Sequence, residues 1–279
     1  MLMFRKAQHI REKYLEKDMW PSIFCQGCGN GTVLNCALRA IDKVGLDMDR
    51  TVFVSGIGCS SRMPGYIDAD GLHTTHGRAI AFATGIKLAN PELTVIVFTG
   101  DGDLAGIGGN HFIHAARRNV DMTVICINNY NYGMTGAQVS PTTPVGGITM
   151  TSPYGNVESP FDLAALAIGA GAPYVAKCTA AYPHETMMAI KKGLEKKAFA
   201  FIEVLTPCPI GYGRKNKLKD GKDYLLWFKK NTIGKSRYDK LSPEEQRSCE
   251  KIIIGEMKNV EKPEYTAEWA KLVDKLFVE

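Results

Sequence analysis

Two apolar, β-branched runs dominate this chain: LTVIVF at Leu93 to Phe98 and MTVICI at Met122 to Ile127. Each runs straight into a polar turn motif, GDGD at Gly100 to Asp103 after the first and NN at Asn128 and Asn129 after the second. Continuous apolar runs of this length read as strands covered on both faces. Residues 108–118 between them read as a helix, so the segment is a strand–helix–strand crossover of about 30 residues. Helices are expected over 31–44, 76–88, 161–169 and 184–196, and further strands over 51–54, 174–178 and 200–205. Strands that alternate with helices define an α/β fold with a doubly wound, mostly parallel sheet.

At 279 residues, this chain has room for one large domain or two small ones. The strand–helix pattern ends near Pro209, which divides the chain into a folded domain over 1–213 and a basic C-terminal extension over 214–279. Between Arg214 and Lys240 stand ten Lys or Arg against three Asp, a local excess within a net charge of +5. Such a stretch is a solvated surface or a dock for an acidic partner. A charged helical tail is expected over 242–258. Nucleic acid is not the expected partner, because no groove-reading motif or stacking platform accompanies the lysines. No apolar run reaches membrane-spanning length. Residues 1–20 read as a polar, partly helical arm without an apolar signal core, so the expected compartment is the cytoplasm.

Asp101 falls at the carboxyl end of its strand between two glycines, where open α/β sheets bind ligands. The glycines permit a tight turn and let backbone N–H groups approach phosphate oxygens. A carboxylate there is a hard donor suited to Mg²⁺. Asn129 ends the neighbouring strand 28 residues later, close enough in such a fold to share one ion with Asp101. A lone Gly-Asp-Gly is equally a plain turn; the pairing with NN after a second buried strand makes the combination specific.

Of eight cysteines, Cys25 and Cys28 form a C-x-x-C loop in FCQGCG, while Cys59 and Cys208 sit in the Gly- and Pro-rich turns GIGCSS and TPCP. In a reducing compartment this pattern points to metal or redox chemistry rather than disulfides. The four thiols suit either an iron–sulfur cluster or a Cys₄ zinc site, and ligand type alone leaves both open. Cys36 falls on the apolar face of a helix and Cys126 inside a strand, as core residues do. Cys178 and Cys249 receive no role.

GDG followed at this distance by NN resembles the thiamine diphosphate (TPP) signature of TPP-dependent enzymes. The wider stretch HTTHGRAIAFATGIKLANPELTVIVFTGDGDLAGIGGNHFIHAARRN, continued by NNYNYGMTGAQVSPTTP, is similar to the β subunit of 2-oxoacid:ferredoxin oxidoreductases. The resemblance runs from about Phe24 to Arg214. It implies Mg²⁺ on Asp101, Asn129 and the backbone carbonyl of Asn131, whose side chain is then unconstrained. The diphosphate rests on Gly102, Asp103, Gly133 and Met134. Ile57, Gly58, Cys59, Ser60 and His76 line the coenzyme, and Cys25, Cys28, Cys59 and Cys208 hold one [4Fe–4S] cluster. Ala137 stands where many relatives have glycine. Arg62 matches a basic position near the substrate carboxylate, and His76 is a better functional candidate than His111 or His114, which are expected to pack or cap a helix.

The activity implied is oxidative decarboxylation of a 2-oxoacid with coenzyme A, giving acyl-CoA and CO₂ and passing electrons to ferredoxin. GDGD and YGMTGAQVSPTTP are more similar to the 2-oxoglutarate branch than to the pyruvate branch. This chain offers no second domain for the aminopyrimidine and its activating Glu, so an α subunit is expected, with γ or δ chains for further clusters. Two other readings stay open on the residues: a non-oxidative TPP-dependent decarboxylase subunit, and a zinc-stabilised scaffold.

Overall fold

In the computed structural model, which describes residues 9–218 and 220–277, helices and strands alternate as the apolar runs require. Helix α1 (Ile10–Tyr14) leads through α2 (Asn30–Val44) to β1 (Thr51–Ser55), β2 (Asp70–His73) and α3 (Ala79–Ala89). Strand β3 (Thr94–Gly100) enters a wide helical turn (Gly102–Ile107), then α4 (Gly109–Arg118) and β4 (Met122–Asn128). There follow α5 (Leu163–Gly169), β5 (Tyr174–Thr179), α6 (Pro183–Glu195) and β6 (Phe199–Leu205). The C-terminal part contributes α7 (Gly221–Asn231), β7 (Thr232–Gly234), α8 (Lys235–Tyr238), α9 (Pro243–Arg247), β8 (Ile252–Asn259) and α10 (Tyr265–Phe277). Residues 1–8 of the polar arm, Lys219 of the basic stretch and residues 278–279 lie outside the described residues.

All eight strands form one sheet in the order β2-β1-β3-β4-β6-β5-β8-β7. From β2 to β5 every pairing is parallel. The two-residue period of extended backbone then divides the side chains between two cores. Ile96, Phe98, Ile125, Ile127, Ile202 and Val204 pack with α2 and α6 on one face. Val95, Val97, Val124, Cys126, Phe199 and Phe201 pack with α3, α4 and α5 on the other. Cys36 and Cys126 are buried core residues, as expected.

The C-terminal pattern differs from the helical tail expected over 242–258. Only 243–247 is helical there, and Ile252–Asn259 is a strand antiparallel to β5. Its Ile252-Ile253-Ile254 run favours extended backbone and pairs with β7, while Gly255 to Asn259 cover the edge that β5 would otherwise expose. Residues after 213 thus extend the same sheet, and Cys249 lies past the end of α9 rather than within a helix. Strand β2 was not expected either, because DGLH is mostly exposed and carries no apolar alternation. Neither histidine of α4 caps it: His114 is exposed and His111 half-buried along the helix, whose C-terminal cap is Asn119.

Asn119 fastens this assembly. Fully buried and left-handed at φ 58, it ends α4. Its Oδ1 accepts from the Phe199 N–H at 2.9 Å, and its Nδ2 donates to the carbonyls of Pro263 at 2.8 Å and Lys262 at 3.2 Å. One side chain therefore holds the start of β6 and the chain entering α10. Asn119→Ala would strand these buried backbone groups and place a Cβ-bearing alkyl residue in αL. It should cost about 2–4 kcal/mol by urea denaturation; a loss below about 1 kcal/mol would contradict this role.

Candidate active site

From β1 the chain runs outward to β2, then returns on the other side of β1 as β3. The loops after β1 and β3 part at that reversal and open a crevice at the carboxyl edge. Register decides what meets there. Gly100 is level with Ile127, so Asp101 emerges beside Asn128 and Asn129.

Asp101 is 1% exposed. Its Oδ2 accepts from Ser140 Oγ and Thr142 Oγ1, both at 2.6 Å, whereas Oδ1 has only the distant Asn129 N–H at 3.4 Å. Burial raises its pKa, and the two hydroxyls and the N–H oppose that rise. The Asn129 amide points one terminal atom at both neighbours, 2.7 Å from the Asn131 carbonyl oxygen and 3.3 Å from Asp101 Oδ1. With nitrogen inward it would donate to both; with oxygen inward, three oxygens converge. Cis ligands of octahedral Mg²⁺, each 2.0–2.1 Å from the ion, stand about 2.9 Å apart. With the oxygen inward, the trio suits a small, hard dication on donor chemistry, and its 2.7 Å and 3.3 Å separations lie on either side of that spacing.

These residues line one cleft of about 60 Å³. Ile57, Gly58, Cys59, Ser60, His76, Gly102, Asp103, Gly133 and Met134 all border it, together with Tyr132. A Cβ on Gly102 would meet the Tyr132 ring at 2.3 Å, so the backbone of the GDG turn lies bare against that ring. Asp103 offers the cleft its backbone rather than its carboxylate. The latter accepts from the Gly77 N–H (2.7 Å), the Ile57 N–H (3.1 Å) and Thr99 Oγ1 (2.8 Å), and lies 2.6 Å from His76 Nδ1. A carboxylate on Nδ1 orients the imidazole with its proton on that nitrogen and leaves Nε2 for the cleft. Arg62 borders neither this cleft nor the cysteine cavity and stands exposed on the turn Ser60–Tyr66.

A second cavity of about 310 Å³ is ringed by Cys25, Cys28, Cys59 and Cys208 among Phe24, Met150, Ile210 and Lys215. Burial pushes the Cys28 thiol up to about 12; a hydrogen bond from the Asn30 backbone opposes this, and Cys208, Cys59 and Cys25 add to it. Thiolates sharing such a space repel one another unless positive charge lies between them. Among the described residues no three His, Cys, Asp or Glu side chains form a group able to hold a metal ion. Four thiols lining one cavity suit either a zinc ion or an iron–sulfur core on ligand type. Cys59, Asn129 and Gly133 border both spaces, so the cleft and the cavity share a wall.

Three features escaped the sequence reading. Ser140 and Thr142 reach Asp101 from a loop 39 and 41 residues downstream; their only signal is the polar run SPTTP. Glu203, 2% exposed within β6, accepts from Asn128 Nδ2 at 2.8 Å. Lys177 lies 3.5 Å from its other oxygen and 2.8 Å from Asp162. Asn128 Oδ1 in turn accepts from the Tyr130 N–H at 3.2 Å and, at 3.0 Å, shares the single Thr142 Oγ1 proton with Asp101, steadying the left-handed Tyr130 and the turn that carries Asn129 and Asn131. Finally, the Asn131 side chain is not unconstrained: it is 2% exposed and donates from Nδ2 to the Asn129 carbonyl at 2.8 Å.

Comparison with known proteins identifies the family. Residues 56–204 match the family described as thiamine pyrophosphate enzyme, C-terminal TPP binding domain. This chain is 55% identical to 2-oxoglutarate synthase subunit KorB of Methanocaldococcus jannaschii, over 96% of its own length and 98% of that protein. It is likewise 55% identical to the KorB subunit of Methanothermobacter marburgensis, over 90% of its length and 88% of that protein. A solved structure of the 2-oxoglutarate:ferredoxin oxidoreductase from Magnetococcus marinus, with 2-oxoglutarate, coenzyme A and succinyl-CoA bound, superposes with a TM-score of 0.86 at 33% identity. That match covers 98% of this chain and 92% of the other. The matched domain, which spans the GDG turn and the NN pair, is that of a TPP-binding enzyme. Within that class, the protein belongs to the family of 2-oxoacid:ferredoxin oxidoreductase β subunits.

Asp101 carries a pH signature. A carboxylate whose folded pKa is raised contributes most below its unfolded value, and the contribution disappears as pH rises through the folded one. Cation-free Asp101→Asn protein should therefore gain stability over the parent at pH 8 and little at about pH 3, below the unfolded carboxylate's range. It should also lose the stabilisation conferred by Mg²⁺ with TPP. Thermal melts at both pH values check this, and a preserved Mg²⁺ response would contradict it.

Proposed function

We propose that this chain is the β subunit of a 2-oxoglutarate:ferredoxin oxidoreductase. Joined to an α subunit, it oxidatively decarboxylates 2-oxoglutarate with coenzyme A to the acyl-CoA and CO₂, and electrons leave through a [4Fe–4S] cluster to ferredoxin. One observation carries the reading: the three-oxygen cation site and the four-thiol cavity share Cys59, Asn129 and Gly133. Bound TPP supplies the electron sink for decarboxylation and the cluster a one-electron acceptor. That adjacency has a use only for a redox-active group, which favours iron–sulfur over zinc. The names of the KorB relatives support 2-oxoglutarate as substrate.

The chain's own residues position and shield. Asp101, Asn129 and the Asn131 carbonyl would hold Mg²⁺, and backbone N–H groups of Gly102, Asp103, Gly133 and Met134 would face the diphosphate. Ile57 to Ser60 wall the cleft against water. His76, its Nδ1 proton held by Asp103, can accept or give a proton at Nε2. Arg62, exposed three residues beyond Cys59 and outside the cleft, would meet a substrate carboxylate before it enters. Exposed Ile57 and Met134 at the cleft mouth mark where the α subunit would bring the aminopyrimidine-holding domain and its Glu. Residues 214–279 are proposed as a second zone of subunit contact, shared by γ or δ chains in larger assemblies. Among the described residues no helix is long and apolar enough to cross a membrane. A cytoplasmic setting is proposed because free thiols persist there.

Anaerobic co-production with the α subunit tests this. The complex should be brown, absorb near roughly 400 nm and bleach with dithionite. It should reduce ferredoxin only with 2-oxoglutarate and coenzyme A, while the β chain alone stays inactive. Asp101→Ala should lower turnover by about 100-fold or more with colour retained, and Cys208→Ser should lose iron. A colourless zinc protein, or CO₂ release without ferredoxin reduction, would overturn the proposal.

A further inference from the structure

We infer that the Asn131 side chain is a positioning device that couples the cation site to the cysteine cavity, so that Mg²⁺–TPP loading shifts the reduction equilibrium of the cluster. This rests on the functional reading above. Asn131 touches both sites with one residue. Its backbone oxygen belongs to the cation trio, 2.7 Å from the Asn129 amide, while its side-chain Oδ1 lies 3.9 Å from Cys208 Sγ. Two glycines clear the space around that contact. A Cβ on Gly211 would come within 2.8 Å of Asn131 Oδ1 and 3.0 Å of Cys208 Sγ, and one on Gly133 within 3.5 Å of each. Two separate loops thus converge on one amide and one sulfur, leaving room for little else.

The amide has two distinct arrangements there. As placed, Nδ2 donates to the Asn129 carbonyl at 2.8 Å and Oδ1 faces the sulfur. A ligating thiolate has no proton to donate, so an oxygen facing it is unfavourable and an N–H favourable. Turning the amide by a half-turn supplies that N–H but sets Oδ1 against the Asn129 carbonyl. A cation drawing on Asn129 Oδ1 and the Asn131 carbonyl fixes the intervening backbone and biases the choice. Dipoles and hydrogen bonds at ligand sulfurs are among the levers on cluster potential. The coupling is reciprocal: cluster reduction must change Mg²⁺–TPP affinity by the same factor.

The test is an EPR-monitored redox titration of the αβ holoenzyme with and without Mg²⁺–TPP. In the parent, loading should change the cluster's reduction equilibrium by about three- to tenfold, up to ~59 mV for one electron. TPP affinity of the oxidised and dithionite-reduced protein should differ by the same factor. Asn131→Ala keeps the backbone carbonyl and should retain iron and TPP, with the loading effect reduced to less than about twofold. Gly211→Ala, which crowds the same contact without altering Asn131, should weaken the loading effect in parallel and serves if the first variant fails to assemble. Asn131→Asp sets a carboxylate against Cys208 and should make the cluster harder to reduce, loaded or not. A full loading effect in Asn131→Ala or Gly211→Ala, or none in the parent, would overturn the inference. A parent holoenzyme lacking iron or TPP would instead sink the functional reading itself.

Discussion

A buried carboxylate with one oxygen left for a cation governs this structure. Two hydroxyls satisfy Asp101 Oδ2, and Oδ1 is turned to the atoms of Asn129 and Asn131. Desolvation makes such a group costly unless positive charge joins it. The surrounding fold has the form such a cost requires: β3 delivers Asp101, β4 delivers the two asparagines, and the 140–143 loop folds back to hold the carboxylate in place. A cation bound there would offset that cost and brace the ligand-bearing turn.

That turn is held from behind as well. The Lys177–Glu203–Asn128 chain lies beneath Asn129 and Asn131; burial raises the Glu203 pKa, and Lys177 and Asn128, which face it, oppose that rise. Ion pairs of this kind add little net stability, yet they fix one geometry where a softer core would permit several. Here the geometry fixed is the end of β4, whose residues border the cation cleft on one side and the thiol cavity on the other.

Much of this was legible in the residues. Largely apolar runs identified β3, β4 and β6, and motifs at the ends of the first two located the crevice, because the carboxyl edge of a parallel sheet follows from strand direction alone. The C-x-x-C loop and two isolated turn cysteines named the four thiols that the fold gathers. Other features depended on tertiary approach. Ser140 and Thr142 are ordinary loop residues until the chain folds back on Asp101. Glu203 was visible as a lone charge in FAFIEVL, but its partners were not. The Ile-rich β8 was masked by the charged residues on either side of it, which favoured a helical reading. Asn131 was expected to serve through its carbonyl only, since nothing local to NNYNYG shows that Cys208 will lie against its side chain.

The claim on which the account depends is that a metal-held coenzyme and a redox-active cluster lie on two sides of one thin wall. Diffraction from anaerobic crystals of the αβ complex, loaded with Mg²⁺ and TPP and measured on both sides of the iron absorption edge, addresses it directly. The account predicts iron density among Cys25, Cys28, Cys59 and Cys208, with a diphosphate-bound ion on Asp101, Asn129 and the Asn131 carbonyl across the wall. Density for a lone zinc ion among the cysteines, or a diphosphate seated away from Asp101, would contradict it.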